Sequence, residues 1–222
     1  MGTLYLVRHG QASFGTDDYD RLSELGQRQC EALGEWMAAR GLHFEAVLRG
    51  TLRRHQQSLE AIARALPALP PAIELPGLNE YDSEAVVRSV HAGPLAPARD
   101  AADAREHFRL LRQGLLKWVA AETGPEGMPS WVQFQAGVAA ALDQVREHCS
   151  GAVLLVSSGG PIATAVGQVL QAPAETVVEL NLRIRNSALT EFSFTPRRHA
   201  LLSFNALPHL DEPRRSAWVT YA

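Results

Sequence analysis

The chain is poor in cysteine: 222 residues include two, Cys30 and Cys149. A chain of this length with so few is not built on a disulfide framework, and each reads as a small buried hydrophobe. A basic excess is missing too. Lys plus Arg number 21 against 24 Asp plus Glu, a net charge of −3. No bulk positive field exists to displace counterions, so no nucleic-acid partner is predicted. No run approaches the roughly 18 apolar residues of a membrane span. The apolar start Leu4-Tyr5-Leu6-Val7 is too short for a secretory signal and follows no basic segment. These absences predict no membrane partner and a cytoplasmic location. The histidines at 9, 43, 55, 91, 107, 148, 199 and 209 show neither H-x-H nor H-E-x-x-H spacing, so neither a metal nor another cofactor is predicted. What is present is 46% hydrophobic and 20% charged residues, the make-up of an ordinary folded domain. The length fits one domain over residues 1–222, and oligomeric state stays open.

Periodicity supplies the architecture. Leu4-Tyr5-Leu6-Val7 and Ala152-Val153-Leu154-Leu155-Val156 are continuous apolar runs of the kind that form strands buried on both faces. Ala46-Val47-Leu48 is a shorter one. After a polar loop from Gly15 to Arg21, Ser23 is placed to cap a helix carrying Leu25, Leu33, Trp36 and Met37 and stopping before Gly41. A second amphipathic helix is predicted from about Leu52 to Leu66, closed by Pro67. The proline-rich stretch from Pro67 to Pro76 is irregular or an edge strand. From Asp82 to about Cys149 the pattern is mostly helical, with breaks at Gly93-Pro94 and around Gly124 to Pro129. A helix is expected from Ile162 to Leu170, and a hairpin from Ser187 to Phe194 and Ala200 to Phe204. Trp36, Met37 and Trp118 read as core, and Arg197-Arg198-His199 and Arg214-Arg215 as solvated surface. Strands alternating with helices predict an α/β fold, a three-layer α/β/α sandwich with a mostly parallel central sheet. The helical segment at about 82–130 interrupts the alternation and reads as an insertion capping the site.

Ligands of open α/β sheets bind beyond the carboxyl ends of the strands. Two strands here end in chemically rich loops, Arg8-His9-Gly10 and Ser157-Ser158-Gly159-Gly160-Pro161. Arg8 offers a planar fork of donors for phosphate or carboxylate. His9 beside it can act as a nucleophile, since an unperturbed imidazole is mostly neutral at pH 7. Glycines before a proline at a helix start present backbone N–H groups to an anion, which makes Ser158 and Gly159 candidate phosphate contacts.

Leu6-Val7-Arg8-His9-Gly10 resembles the signature of the histidine phosphatase, or phosphoglycerate-mutase-like, superfamily, with its Arg-His-Gly motif. The resemblance covers nearly the whole chain. Leu22-Ser23-Glu24-Leu25-Gly26-Gln27-Arg28-Gln29 is similar to the family's Leu-Thr-x-x-Gly-x-x-Gln helix start. Leu52-Arg53-Arg54-His55-Gln56-Gln57-Ser58 resembles its Leu-x-Arg-Ala-x-x-Thr segment, and Leu78-Asn79-Glu80 its Leu-x-Glu element. Asn186-Ser187-Ala188-Leu189-Thr190 and Asn205 through His209-Leu210 match its late strand and closing loop. The resemblance implies metal-independent hydrolysis of a small phosphomonoester through a phosphohistidine at His9. Arg8 and Arg54 would hold the phosphoryl oxygens, and Glu80 would carry the proton to and from the leaving oxygen and water. The partner is then a small phosphorylated substrate or inorganic phosphate.

One position departs from the pattern. The family's second catalytic histidine precedes the glycine after the later strand, and here Ser158 stands in that place. A hydroxyl donates one hydrogen bond, is shorter than imidazole and carries no positive charge. Losing such a donor to a transition-state oxyanion costs about 2.7–4 kcal/mol. His55, where the family pattern has alanine, is a candidate to reach the pocket from the other side and restore the donor; the plainer reading is a helix histidine facing solvent or packed under the cap. Ser158 is not expected to attack as a hydrolase serine. Val156-Ser157-Ser158-Gly159-Gly160 lacks the first glycine of G-x-S-x-G, and no nearby base is evident from the order of residues. Two functions therefore stand side by side, a phosphatase and a phosphate-binding or regulatory domain with weakened turnover. Mutase activity fits less well, because Gln11-Ala12-Ser13-Phe14-Gly15 follows the motif where the glycolytic enzymes carry a tryptophan-asparagine pair.

Overall fold

A computed structural model describes residues 1–13, 20–93 and 101–221. The strands are β1 (Gly2–Arg8), β2 (Ala46–Arg49), β3 (Ala72–Glu74), β4 (Ala152–Ser157), β5 (Leu189–Thr195) and β6 (Arg198–Ala206). They form one sheet in the order β3-β2-β4-β1-β5-β6. The strands β3, β2, β4 and β1 run parallel, β5 is antiparallel to β1, and β6 closes a hairpin on β5. The mostly parallel sheet, the proline-flanked edge strand and the late hairpin all match the sequence pattern.

Successive strand residues point to opposite faces, and the apolar runs fill two separate cores. Leu4, Leu6, Leu48, Val153, Leu155, Phe192 and Phe194 face one. Val7, Val47, Leu154, Val156 and Leu189 face the other. The second core is covered by α1 (Glu24–Ala39) and α2 (Arg53–Ala63). The first is covered by α3 (Ser83–Arg88), α4 (Ala101–Val119), α5 (Trp131–His148), α6 (Gly159–Leu170) and α7 (Ala174–Asn181).

Helix ends follow the capping chemistry. Ser23 Oγ accepts from Gly26 N–H at the start of α1, and Gly41 just beyond its end takes φ +64°. The buried stripe of α1 is Gly26, Gln29, Cys30, Leu33 and Met37, with Leu25 and Trp36 on its flanks. Trp36 is therefore half-buried, under the Arg40 guanidinium at 3.9 Å, and not core as expected. Met37, Trp118 and Cys30 are buried, and Cys149 lies half-buried at the end of α5.

Several boundaries differ. α2 ends at Ala63, three residues before the expected end, in hydrogen-bonded turns leading to Pro67. α6 begins at Gly159 rather than Ile162, because proline is tolerated in a helix's first turn. α7 was not foreseen; its pattern is short and lacks a side-chain cap. His199 is half-buried against Phe192 and Phe194 rather than solvated. Arg215 is tied down by Glu35 at 3.0 Å. Most of the predicted loop from Gly15 to Arg21, and Pro94 of the predicted break, lie outside the described residues.

Two helices meet through a glycine. A Cβ on Gly34 would lie 2.4 Å from the carbonyl oxygen of Ile62, so α1 and α2 approach backbone to backbone. Alanine is the better helix former by about 1 kcal/mol, yet overpacking costs more. Gly34→Ala is expected to lower stability by about 1–3 kcal/mol in urea unfolding; a higher midpoint would show that the helices separate without cost.

Candidate active site

The carboxyl ends of β1, β2 and β4 converge. Arg8 at the end of β1 lies opposite Ser157 of β4, and His9 N–H donates to Ser157 O at 2.9 Å. The next residue on each strand is therefore His9 and Ser158, side by side. Gly10 follows, where a Cβ would meet Gly26 O at 2.2 Å, so the loop turns directly against the start of α1. Gly10 N–H donates to Ser58 Oγ at 3.1 Å, and Ser58 Oγ donates to Arg54 O at 2.7 Å. Ser58 thus locks the histidine loop to the helix carrying Arg54.

His9 is 4% exposed. Its Nδ1 is 2.7 Å from Gly10 O. A carbonyl only accepts, so Nδ1 holds the proton and Nε2 presents a lone pair. Arg54, 7% exposed, lies in the first turn of α2, and its Nη1 bonds Asp20 Oδ1 at 2.9 Å. The same carboxylate accepts from Arg53 N–H at 2.8 Å, so it also sits on the helix's positive end. Arg8 Nη1 donates to Tyr221 O at 2.7 Å and to Ile184 O, which orients the guanidinium.

Glu80 is placed by its neighbours. Ser157 Oγ donates to Leu78 O at 2.7 Å, while Asn79 Oδ1 accepts from Thr51 N–H at 2.7 Å. The Leu78-Asn79-Glu80 segment is thereby strung between the ends of β4 and β2. Both Glu80 carboxyl oxygens accept from Gly160 N–H, at 3.1 and 3.2 Å. Of the glycine turn expected to cradle an anion, one N–H is thereby taken by the chain's own carboxylate. The Gly160 N–H at the start of α6 serves Glu80, and a Cβ on Gly159 would lie 2.7 Å from Asn181 Oδ1. The glycines leave room for a carboxylate of the chain itself.

His55 is fully buried, not facing solvent, and its Nε2 is 2.7 Å from Ser158 Oγ. Its ring centroid is 5.8 Å from that of His9. Ser158 thus has a histidine as its neighbour, where none was evident from the order of residues. The partner stands 103 residues earlier in the chain, a separation that residue order cannot reveal.

A model of the histidine phosphatase superfamily (branch 1) matches residues 4–207. The chain belongs to that superfamily. No curated protein matches it. Among solved structures, YhfR of Bacillus stearothermophilus is 17% identical over 94% of this chain and 99% of its own, with a TM-score of 0.69. A mycobacterial glucosyl-3-phosphoglycerate phosphatase is 23% identical over 93% and 99%, with a TM-score of 0.62. A phosphoserine phosphatase mutant of Entamoeba histolytica, in complex with phosphoserine, is 20% identical over 95% and 100%, also at 0.62. At such identities the likeness is one of fold.

The electrostatics of this histidine phosphatase fold are dominated by burial. Desolvation first, then the charges of Arg54 and Arg8, hold His9 well below the usual imidazole range. Burial, with Arg54 and Arg49, brings His55 down to about 3. Glu80 moves the other way. Desolvation raises its pKa despite Arg54, Arg8 and the Gly160 and Tyr81 N–H groups, which favour the carboxylate. The site thus pairs a neutral imidazole with a carboxyl group biased toward keeping its proton. Among the described residues no cluster of three or more His, Cys, Asp or Glu side chains could hold a metal ion, and no helix is long and apolar enough to cross a membrane.

Sequence reasoning missed Asp20, Ser58, Thr51 and Asn181 as supports of this site. Ser58 closes the quoted Leu52–Ser58 motif, which was its one available signal; the others carried none.

Buried neutral histidines make the fold acid-sensitive. His9, His55 and His209, the last also at about 3 and bonded to Ser187 Oγ at 2.9 Å, stay neutral in the folded chain. Unfolded, each takes a proton below about pH 6.5, so each removes about 1.4 kcal/mol of stability per pH unit from there downward. For His55 and His209 the loss runs to about pH 3, where the folded ring also protonates. Urea midpoints measured from pH 7 to 4.5 should fall steadily, and His209→Gln should flatten that slope; an unchanged slope would show that His209 is already charged in the folded state.

Proposed function

We propose that this chain is a metal-independent phosphomonoesterase that turns over through a phosphohistidine at His9. The observation that carries the reading is the tautomer of His9. Its Nδ1–H is committed to Gly10 O, which aims the Nε2 lone pair into a site ringed by the positive charges of Arg8 and Arg54.

In the first step Nε2 bonds to phosphorus as the ester oxygen leaves with the proton of Glu80. Arg8 and Arg54 stabilise the charge on the phosphoryl oxygens as it builds. In the second step Glu80 takes a proton from water, whose oxygen bonds to phosphorus. The nitrogen–phosphorus bond breaks, releasing inorganic phosphate and neutral His9. The raised pKa of Glu80 suits it to give up and regain one proton in each cycle. A domain kept only for binding phosphate has no use for a carboxyl group of raised pKa beside two arginines, which favours turnover over the binding-domain reading. The solved neighbours named for phosphate-ester hydrolysis agree with this class of reaction.

We further read residues 1–222 as one domain with the 82–130 segment as a helical cap. Val86 and Val87 of α3 and Leu110, Leu111 and Leu115 of α4 share one apolar cluster with the sheet, and Tyr81, next to Glu80, packs on Trp118 at 5.9 Å between ring centroids. The substrate is a small phosphorylated molecule entering under that cap.

Steady-state assays check the roles. His9→Ala should abolish hydrolysis of p-nitrophenyl phosphate; equal rates in wild type and variant would retire the reading. Glu80→Gln should slow phenyl phosphate far more than p-nitrophenyl phosphate, because p-nitrophenolate leaves without a proton. The expected loss is about 100-fold or more for the poorer leaving group, and equal losses for both would remove Glu80 as proton donor.

A further inference from the structure

Ser158 occupies the N-cap of α6, where a serine oxygen ordinarily accepts from the N–H groups of the helix's first turn. Here it caps nothing. Its Oγ, fully buried, meets His55 Nε2 and no other hydrogen-bonding group of the described chain. Two tautomers are conceivable, and Gly50 decides between them. A Cβ built on Gly50 would lie 2.2 Å from His55 Nδ1, so the hydrogen that glycine carries in that direction points at the ring nitrogen. A proton on Nδ1 would collide with that hydrogen and be a buried donor with no acceptor, since Nδ1 has no hydrogen-bond partner. A lone pair there fits, as a weak C–H contact. The proton therefore resides on Nε2 and is donated to Ser158 Oγ. The serine's own proton must then turn away from His55. A hydroxyl that accepts from a neighbour becomes a better donor in its turn.

We propose that Ser158 and His55 act as one relayed donor: Ser158 Oγ–H donates to an oxygen of the phosphoryl group held at His9, and His55 is a positioning residue that holds the hydroxyl by donating to it from Nε2. No proton is transferred in the relay, and none is needed, because Glu80 handles the proton of the leaving group. The same tautomer leaves His55 unable to accept the Ser158 proton, so Ser158 is a hydrogen-bond donor and not a second nucleophile. His55 remains in one protonation state through the neutral range, facing the charges of Arg54 and Arg49 and the neutral ring of His9.

The inference rests on the reading that His9 receives a phosphoryl group, and its test has readouts that do not require turnover. In the wild-type chain carrying 15N-labelled histidine, His55 should appear as the Nε2–H tautomer from pH 5 to 8, its signal identified by its loss in His55→Gln. An Nδ1–H tautomer overturns the relay, and this measurement needs no turnover. Orthovanadate affinity, measured by calorimetry, should fall about tenfold or more in Ser158→Ala. It should fall in His55→Ala and recover in large part in His55→Gln, whose amide keeps a donor at similar reach. The Ser158→Ala, His55→Ala double variant should bind no worse than Ser158→Ala alone. Additive losses would mean that His55 supports the fold without acting through Ser158. Acid-quenched phosphate found on Ser158 would make it a nucleophile and likewise sink the relay. A non-additive cycle in a chain without His9-dependent turnover would retire the phosphatase reading alone, whereas His9-dependent turnover with an additive cycle would retire the relay alone.

Discussion

The parallel register of β1 on β4 is the constraint on which the site depends. With Arg8 opposite Ser157, His9 and Ser158 must leave the sheet as neighbours. The two strands are central and apolar on both faces, so a slip by one residue would move every side chain to the other core. Leu4 and Leu6 would then face the helices packed around Leu33 and Met37, and Val7 and Val156 would change sides as well. Packing of two separate cores thus holds the loops of the candidate site in register far more firmly than any contact between the loops themselves.

A second consequence follows from putting the loops at the edge of two dense cores. Water is largely excluded, so charge is expensive and hydrogen-bond geometry decides proton positions. His9 and His55 are neutral for this reason, and each is fixed in one tautomer by a backbone group, the Gly10 carbonyl for one and the Gly50 CH2 for the other. Glu80 keeps a raised pKa although it sits on the N-terminus of α6, which shows that desolvation outweighs a helix end and two arginines there. The glycines of the site serve close approach more than unusual backbone angles. Gly10 meets Gly26, Gly50 meets His55, and Gly160 meets Glu80.

Much of this is legible in the sequence alone. Continuous apolar runs marked β1 and β4, Ser23 and Gly41 bounded α1, and the alternation of strands and helices named the layer arrangement. The residues of the site were legible as types: an arginine and histidine after one strand, an arginine in a helix start, a glutamate after a proline-rich edge. Their mutual arrangement was not. The Gly159-Gly160-Pro161 turn read as a cradle for an outside anion, and its Gly160 N–H bonds the chain's own Glu80. Trp36 and His199, expected in the core and on the surface, are both half-buried, because helical spacing sets a face only to within a residue or so and a hairpin's polar tip can still fold a ring over its aromatic neighbours. α7 went unseen because eight residues with no cap carry too weak a pattern.

By itself, the sequence determined the layers, the strand order's buried centre and the chemical groups available, since these follow from local periodicity and residue type. Only the tertiary structure decided which of those groups meet. Asp20 reaches Arg54 across 34 residues, Glu80 reaches Gly160 across 80, and His55 reaches Ser158 across 103. Such pairings have no local signature: they are enforced by the register of buried strands, by helices packed to backbone contact, and by the need of each buried polar atom for a partner. The shortage of cysteine and of net charge had already implied a fold held by packing alone. The structure adds that the same packing sets where each proton of the site resides.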